Sequence, residues 1–260
     1  MHKTEFVDLL SRHIDHFGEV VSTPEGDWVV KGFIDIARNI YTLSADTKVI
    51  SKIMELLLFP ELARFAEQNS LKMVLCEYQN HYPDITFIDL AGNRFALDLK
   101  STYRTGKQTV NGMTLGAFTG YFRERDSTKN CTFPYASYAA HVVLGVIYSK
   151  SDNAIDERQV YGLQDLESIA SVVRDFRFFV QEKYRIASDH PGSGNTKNIG
   201  SVTTISQLVA GRGPFSKLGI EVFDDYWMYY LTKDMARAVE LPNPPYNNLR
   251  SYLKYKGADE

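Results

Sequence analysis

The stretch Pro83-Asp84-Ile85-Thr86-Phe87-Ile88-Asp89-Leu90-Ala91-Gly92-Asn93-Arg94-Phe95-Ala96-Leu97-Asp98-Leu99-Lys100 reads as two apolar strands joined by a turn at Ala91-Gly92-Asn93. Successive side chains of a strand alternate faces, so Phe95, Leu97 and Leu99 share one face while Asp98 and Lys100 share the other. The first face serves burial. The second needs another explanation, because a carboxylate and an ammonium in so apolar a strand cost free energy unless they are paired or bound to a metal. Asp84 opens the preceding strand, and an antiparallel return would carry it toward Asp98.

If the two ends coincide, Asp84, Asp98 and the Leu99 carbonyl offer hard oxygen ligands for Mg2+, with Lys100 placed to position a water and to stabilise developing negative charge. Such an arrangement suits phosphodiester cleavage. Glu55, beside the apolar stripe of a predicted helix, could join as a further ligand or as a relay to a second metal. The short pattern leaves a second reading open, an Asp98–Lys100 ion pair on a solvated strand, since Pro-Asp and Asp-x-Lys are common fragments.

Working outward, Phe6, Leu9, Leu10, His13, Ile14 and Phe17 recur at helical spacing, with Gly18 as a stop. Asp27 to Ile40 looks strand-like. Ser44 or Asp46 can cap a helix through Val49, Ile50, Ile53, Met54, Leu57 and Leu58, with Pro60 opening a continuation to Gln68. Met73 to Glu77 reads as a strand, the region before Phe133 as a helix or strand-helix unit, and His141 to Tyr148 as a buried strand. Phe176 to Val180 and Arg185 to Ala187 suggest two short strands, and the segments around Asp224 to Tyr230 and Tyr246 to Gly257 suggest helices. With no repeats, low-complexity tracts or clear linkers, the expectation is a single domain over 1–260.

A chain of 260 residues with 44% hydrophobic and 13% aromatic content can bury a substantial core. No apolar run approaches the ~20 residues that span a bilayer, and MHKTEFVDLLSRH lacks the apolar centre of a signal peptide, so a cytoplasmic protein with no membrane partner is expected. Cys76 and Cys131 lie far apart, without the pairing of a zinc knuckle or disulfide framework. A net charge of -3 argues against a general nucleic-acid coat but leaves room for a local basic cleft.

His190 to Ser201, HPGSGNTKNIGS, is the second informative stretch. Its glycines permit close backbone approach, and Asn195 and Asn198 can make paired hydrogen bonds to a base edge, adenine being the usual partner of Asn. The Gly-Lys-[Ser/Thr] ending of a phosphate-binding P-loop is absent. Composition alone also fits a mobile surface loop.

Taken in order, NHYPD (80–84), LDLKST (97–102) and PGSGNTKNIGS (191–201) resemble the EcoRV-like type II restriction endonucleases of the PD-(D/E)xK nuclease superfamily. The resemblance extends to DTKVISKIMEL (46–56), MTLGAFTGYF (113–122), TKNCTFPYASYAAH (128–141), DYW (225–227) and YNN (246–248), and so covers most of the chain from about Asp46 onward. It implies an α/β (α+β) restriction-endonuclease-like core, a central mixed β-sheet flanked by helices. By the same resemblance Asp84, Asp98 and Glu55 are the metal-site acids, joined by the Leu99 carbonyl, and Lys100 is the catalytic lysine. Gln79 and Asn80 belong to a minor-groove loop. Gly192, Ser193, Gly194, Asn195 and Thr196 form the major-groove recognition loop, continued by Lys197 and Asn198, and Lys129 lies near DNA. Tyr78, Pro191 and Lys197 depart from the family's pattern.

The implied activity is Mg2+-dependent cleavage, with Mn2+ as a substitute, of both strands of double-stranded DNA at a palindrome. GATATC or a close variant, cut to blunt ends, is the expected site. The implied partners are a second copy of the chain, held partly through N-terminal elements in a homodimer, and a DNA methyltransferase protecting the host. Two alternatives are a repair or structure-selective nuclease and a DNA-binding protein without catalysis. The first is disfavoured by the base-reading loop and the second by the joint presence of Glu55, Asp84, Asp98 and Lys100.

Overall fold

The strands flanking the Ala91-Gly92-Asn93 turn pair with each other, and the remaining elements are arranged around that hairpin. The computed structural model describes residues 1–78, 81–151, 156–192 and 197–257. In chain order they form helices α1 (Lys3–Arg12) and α2 (Ile14–Val21), strands β1 (Gly32–Ile34) and β2 (Ile40–Thr42), and the long helix α3 (Thr47–Gln68). Strands β3 (Lys72–Leu75), β4 (Ile85–Ile88), β5 (Arg94–Tyr103), β6 (Thr114–Ala117), β7 (Tyr138–Lys150), β8 (Val160–Tyr161) and β9 (Val173–Glu182) follow. After a helical turn α4 (Lys183–Ile186) come β10 (Ala187–Pro191), β11 (Asn198–Ser201) and helices α5 (Ile205–Ala210), α6 (Ile220–Tyr229), α7 (Lys233–Ala238) and α8 (Leu249–Tyr255).

The central sheet runs β3-β4-β5-β7-β9, with β5 and β7 parallel and the other neighbours antiparallel, so it is mixed, as the resemblance implies. Both faces are covered, which is why β7 runs apolar from Val142 to Ile147 rather than alternating. On one face Phe95, Leu97, Val142 and Leu144 pack under α1, α2 and α3, where Phe6 stacks on Phe95 at 4.5 Å between centroids. On the other, Ala96, Val143, Ile147 and Phe179 join an aromatic cluster with Phe118, Tyr226 and Trp227. Gly145 makes this second layer possible, because a Cβ there would lie 2.0 Å from the Phe179 ring. Two smaller antiparallel sheets, β1-β2-β8 and β10-β11-β6, flank the large one.

Helix α3 follows from its sequence. Asp46 Oδ1 accepts from the Lys48 and Val49 amides at 2.9 and 3.1 Å, and Ile50, Met54, Leu58, Leu62 and Phe65 fall on its buried side. Pro60 lies within this helix instead of starting another.

Elsewhere the local pattern is overridden. The amphipathic run 4–17 breaks into α1 and α2 at His13, whose ring is drawn inward to Glu61 Oε1 at 2.6 Å, and α2 continues past Gly18 to Val21. Residues 27–40 yield only the three-residue β1, because the Asp35 carboxylate accepts from the Asn39 amide at 2.8 Å and turns the chain back into β2. The segment 120–137 contains two short 3-10 turns. Residues 176–180 lie in one longer strand, β9, and Arg185 sits in the helical turn that separates it from β10. Among the described residues no helix is long and apolar enough to cross a membrane.

Candidate active site

The β4–β5 register settles where the hairpin ends fall. Ile85 pairs with Leu97, so Asp84 stands beside Asp98 at the mouth of the hairpin. Asp84 Oδ2 accepts a 2.7 Å hydrogen bond from the Leu99 amide, which fixes its side chain against β5. Asp98 is only 4% exposed, so the solvated-strand alternative does not describe its surroundings. The Lys100 ammonium lies 2.9 Å from Asp98 Oδ2, 3.3 Å from the Leu99 carbonyl and 3.7 Å from Asp84 Oδ2. Three oxygens, from Asp84, Asp98 and Leu99, thus surround one cation.

Charge in this cluster is strongly perturbed. Burial raises the Asp84 carboxyl to about 6, Lys100 pulling it down and Asp98 pushing it further up. Burial works against the Lys100 ammonium, but Asp98 and then Asp84 outweigh it and hold its pKa above the ordinary lysine range. Lys100 is therefore a cation at neutral pH.

Two carboxylates and a carbonyl are hard donors that suit Mg2+. Among the described residues no three acidic, His or Cys side chains form a metal-holding group by themselves, so the Leu99 carbonyl or water must complete such a shell. Glu55 reaches the rim of the cluster from α3. It lines one cleft with Leu99 and Lys100 and another with His81 and Asp84, and its carboxylate is engaged by Lys52 at 2.7 Å.

The site opens into a cleft of about 380 Å³ lined by Tyr82, Asp84, Asp98, Lys100, Tyr121 and Asn198. A neighbouring cleft of about 410 Å³ runs along the first turns of α3, past Thr47, Lys48, Ser51 and Lys52, and shares Lys100. Ser51 Oγ and Ser101 Oγ are 2.7 Å apart and tie the helix to β5. These α3 residues escaped the sequence argument, although DTKVISK places hydroxyls and lysines on the first turns of a capped helix. Tyr82 and Tyr121 escaped it as well, because only tertiary folding brings them to the cleft.

The other sequence-selected residues divide into three groups. Gln79, Asn80, Ser193, Gly194, Asn195 and Thr196 lie outside the described residues. Gly192 and Asn198 face each other at the base of the 193–196 segment, the Gly192 amide donating to the Asn198 carbonyl at 2.9 Å, and Lys197 is exposed with its carbonyl accepting from Phe118 N at 2.9 Å. Lys129 is exposed beside Asn130, whose carbonyl receives the Tyr82 amide at 3.0 Å.

The DYW and YNN motifs turn out to hold β10, the strand that leads into 193–196. Tyr226 Oη donates to the Asp189 carbonyl at 2.6 Å, and Asp189 Oδ2 accepts from the Leu249 amide at 2.9 Å. His190 Nδ1 lies 3.2 Å from the Asn247 carbonyl, and Tyr246 Oη donates to the Tyr226 carbonyl at 2.7 Å. The strand that enters 193–196 is thereby fixed to α6 and α8.

Comparison with known proteins places the chain in a family. The family model described as restriction endonuclease EcoRV matches residues 24–257. The type II restriction enzyme EcoRV of Escherichia coli is 34% identical over 229 residues, covering 87% of this chain and 90% of that protein. With the match running from before α3 to beyond α8, and so across the mixed sheet, the acidic hairpin and the strands that flank 193–196, the chain belongs to the EcoRV family of type II restriction endonucleases, which are site-specific deoxyribonucleases.

Proposed function

We propose that this enzyme cleaves both strands of a palindromic DNA site, GATATC or a close variant, to blunt ends in a Mg2+-dependent reaction, with Mn2+ able to substitute. The observation that carries the chemistry is the convergence of Asp84, Asp98 and the Leu99 carbonyl on the Lys100 ammonium. Asp84, Asp98 and the Leu99 carbonyl would hold the metal, with Glu55 as a further acid at the rim. When bound, a divalent ion supplies positive charge to the scissile phosphate and makes water easier to deprotonate. Lys100, a cation held by two carboxylates, orients the attacking water and stabilises the negative charge that builds on phosphate oxygens.

The surrounding residues bind and read DNA. Thr47, Lys48, Ser51 and Lys52 offer hydroxyls and ammonium groups to the phosphate backbone, a class of contact that sets register without reading sequence. Gln79 and Asn80 approach the minor groove, Lys129 contacts the backbone, and Gly192 to Asn198 read base edges in the major groove. A palindrome calls for two copies related by a two-fold axis, so the active form is a homodimer. A cognate methyltransferase protects host DNA at the same site.

Digestion of a plasmid of known sequence with Mg2+ and, separately, with EDTA tests this reading, the ends being sequenced. Discrete Mg2+-dependent blunt cuts within GATATC are expected. Random nicking would turn the reading toward a structure-selective nuclease, and binding without cleavage toward an inactive DNA-binding protein.

A further inference from the structure

Lys183 opens α4 directly after β9 and is 2% exposed. Its ammonium lies 4.2 Å from the centroid of the Tyr82 ring and 5.3 Å from that of Tyr135. Tyr82 in turn stacks on Tyr121 with centroids 5.0 Å apart, its hydroxyl is 2.8 Å from His141 Nδ1, and His141 stacks on Tyr135 at 3.8 Å. A positive charge is thus set among aromatic rings in the core, where burial carries a large penalty unless something compensates.

The compensation comes from the active site. Tyr82, Gly116 and Tyr121 line the same cleft as Asp84, Asp98 and Lys100. A Cβ built on Gly116 would come within 3.7 Å of the Lys183 ammonium and 2.6 Å of Tyr121 Oη, so the lysine lies directly behind the cleft wall. Burial lowers Lys183 to about 8, and the Asp98 carboxylate is the largest influence in the opposite direction. Tyr82 also precedes Pro83 and Asp84 in the chain, so whatever fixes its ring fixes the start of the acidic hairpin.

We propose that Lys183 is a positioning residue of the active site, a fixed positive charge behind the Tyr82–Tyr121 wall that moderates the negative field of Asp84 and Asp98 and locks the turn carrying Asp84. The proposal rests on the reading that these two carboxylates hold the metal. A site deprived of this charge would bind a cation more tightly yet repel the scissile phosphate more strongly. Loss of packing alone would weaken both.

Terbium(III) is a suitable probe, since Tyr82 and Tyr121 can sensitise its luminescence from within the cleft. Titrations of the full-length wild type, K183M, K183Q, K183R and D98N at neutral pH give the affinities, and single-turnover cleavage at saturating Mg2+ gives the rates. K183M and K183Q are expected to bind terbium about tenfold more tightly than wild type, the order of effect for removing one charge across a short low-dielectric path, while cutting at least about tenfold more slowly. K183R should stay near wild type in both. Unchanged or weakened terbium binding in the neutral variants, an unchanged rate, or a K183R protein as impaired as K183M overturns the proposal. So does failure of both neutral variants to fold by circular dichroism, which would make Lys183 a support of the core. D98N separates the two readings: if it binds terbium as wild type does, the assignment of the metal site itself fails, whereas a lost signal in D98N with no effect of K183M removes only the role of Lys183.

Discussion

Asp98 and Lys100 bind each other at 2.9 Å in a part of β5 covered on both faces, and this makes their substitutions informative in different ways. Lys100→Met removes the cation while keeping the length of the side chain, and a drop of roughly 10²–10³-fold in single-turnover cleavage is expected, the scale for losing one preorganised stabilising group. Asp98→Asn should remove cleavage and terbium binding together. Gel-shift affinity for cognate DNA and the far-ultraviolet dichroism of both variants are the controls, and substantial cleavage by either would remove the active-site reading. Asp84 sets a pH dependence. Its carboxyl is raised to about 6 in the folded protein, so it is neutral and a poor ligand below that value and ionised above it. Metal affinity should therefore rise with pH through about 6, and terbium titrations at a series of pH values would show the limb; a limb near the ordinary carboxylate range would mean that Asp84 is not the titrating ligand. At this scale the shared face of Asp98 and Lys100 is legible in the sequence, because strand alternation constrains it, whereas the approach of Asp84 depends on the β4–β5 register, which the hairpin length alone leaves open. Tyr82, Tyr121 and Lys183 are not legible, since segments up to a hundred residues apart meet only through the second layer of the core.

Elements were legible where their own periodicity decides them. Helix α3, with its Asp46 cap and long apolar stripe, and strands β4, β5 and β7 are read from sequence, and these carry the acidic hairpin and Glu55. The reading fails where one tertiary contact outweighs local pattern, as at His13, drawn to Glu61, or at Arg185 and Ile186, where a helical turn stands in the strand expected over Arg185 to Ala187. The anchoring of β10 by α6 and α8 also lies beyond sequence, although its residues stand in recognisable motifs. Tyr226→Phe tests that anchor. It deletes the 2.6 Å bond to the Asp189 carbonyl while sparing the ring, and should lower stability in urea denaturation by about 1 kcal/mol, the typical worth of one hydrogen bond. Because the bond holds the strand entering the segment proposed above to read DNA, the ratio of cognate to non-cognate cleavage should fall more than the cognate rate. A variant that loses stability with its discrimination unchanged would show that β10 is held well enough by Leu249 and Asn247.

Among the described residues, a group of apolar side chains around the small sheet β1-β2-β8 lies in solvent. The sheet β1-β2-β8 and the turn after it expose Phe33 at 60%, Ile34 at 55%, Val160 at 51% and Leu163 at 48%, with Ile36 fully in solvent. Exposed apolar side chains gathered on one small sheet suit an association surface, and the homodimer proposed above would supply the partner, a second copy using the same residues. The sequence places Phe33, Ile34 and Ile36, though not Val160 and Leu163, in the N-terminal region expected to help form the dimer, but it cannot show that they point outward, since an isolated strand pattern reads the same whether its apolar face meets a core or another subunit. Replacing Phe33 and Ile36 together by Asp puts two carboxylates on each side of a self-complementary contact, so that four like charges oppose one another at the interface while neither side chain leaves a core. If the proposed homodimer forms through this sheet, the expected result is a folded protein that sediments as a monomer at concentrations where the wild type self-associates, and that loses cleavage of both strands although Asp84, Asp98 and Lys100 are untouched. Analytical ultracentrifugation over a concentration series, with a plasmid nicking assay beside it, makes the comparison. If the double variant sediments as a dimer and cuts both strands at the wild-type rate, the patch serves some other contact, and the two-fold axis must be sought on another face.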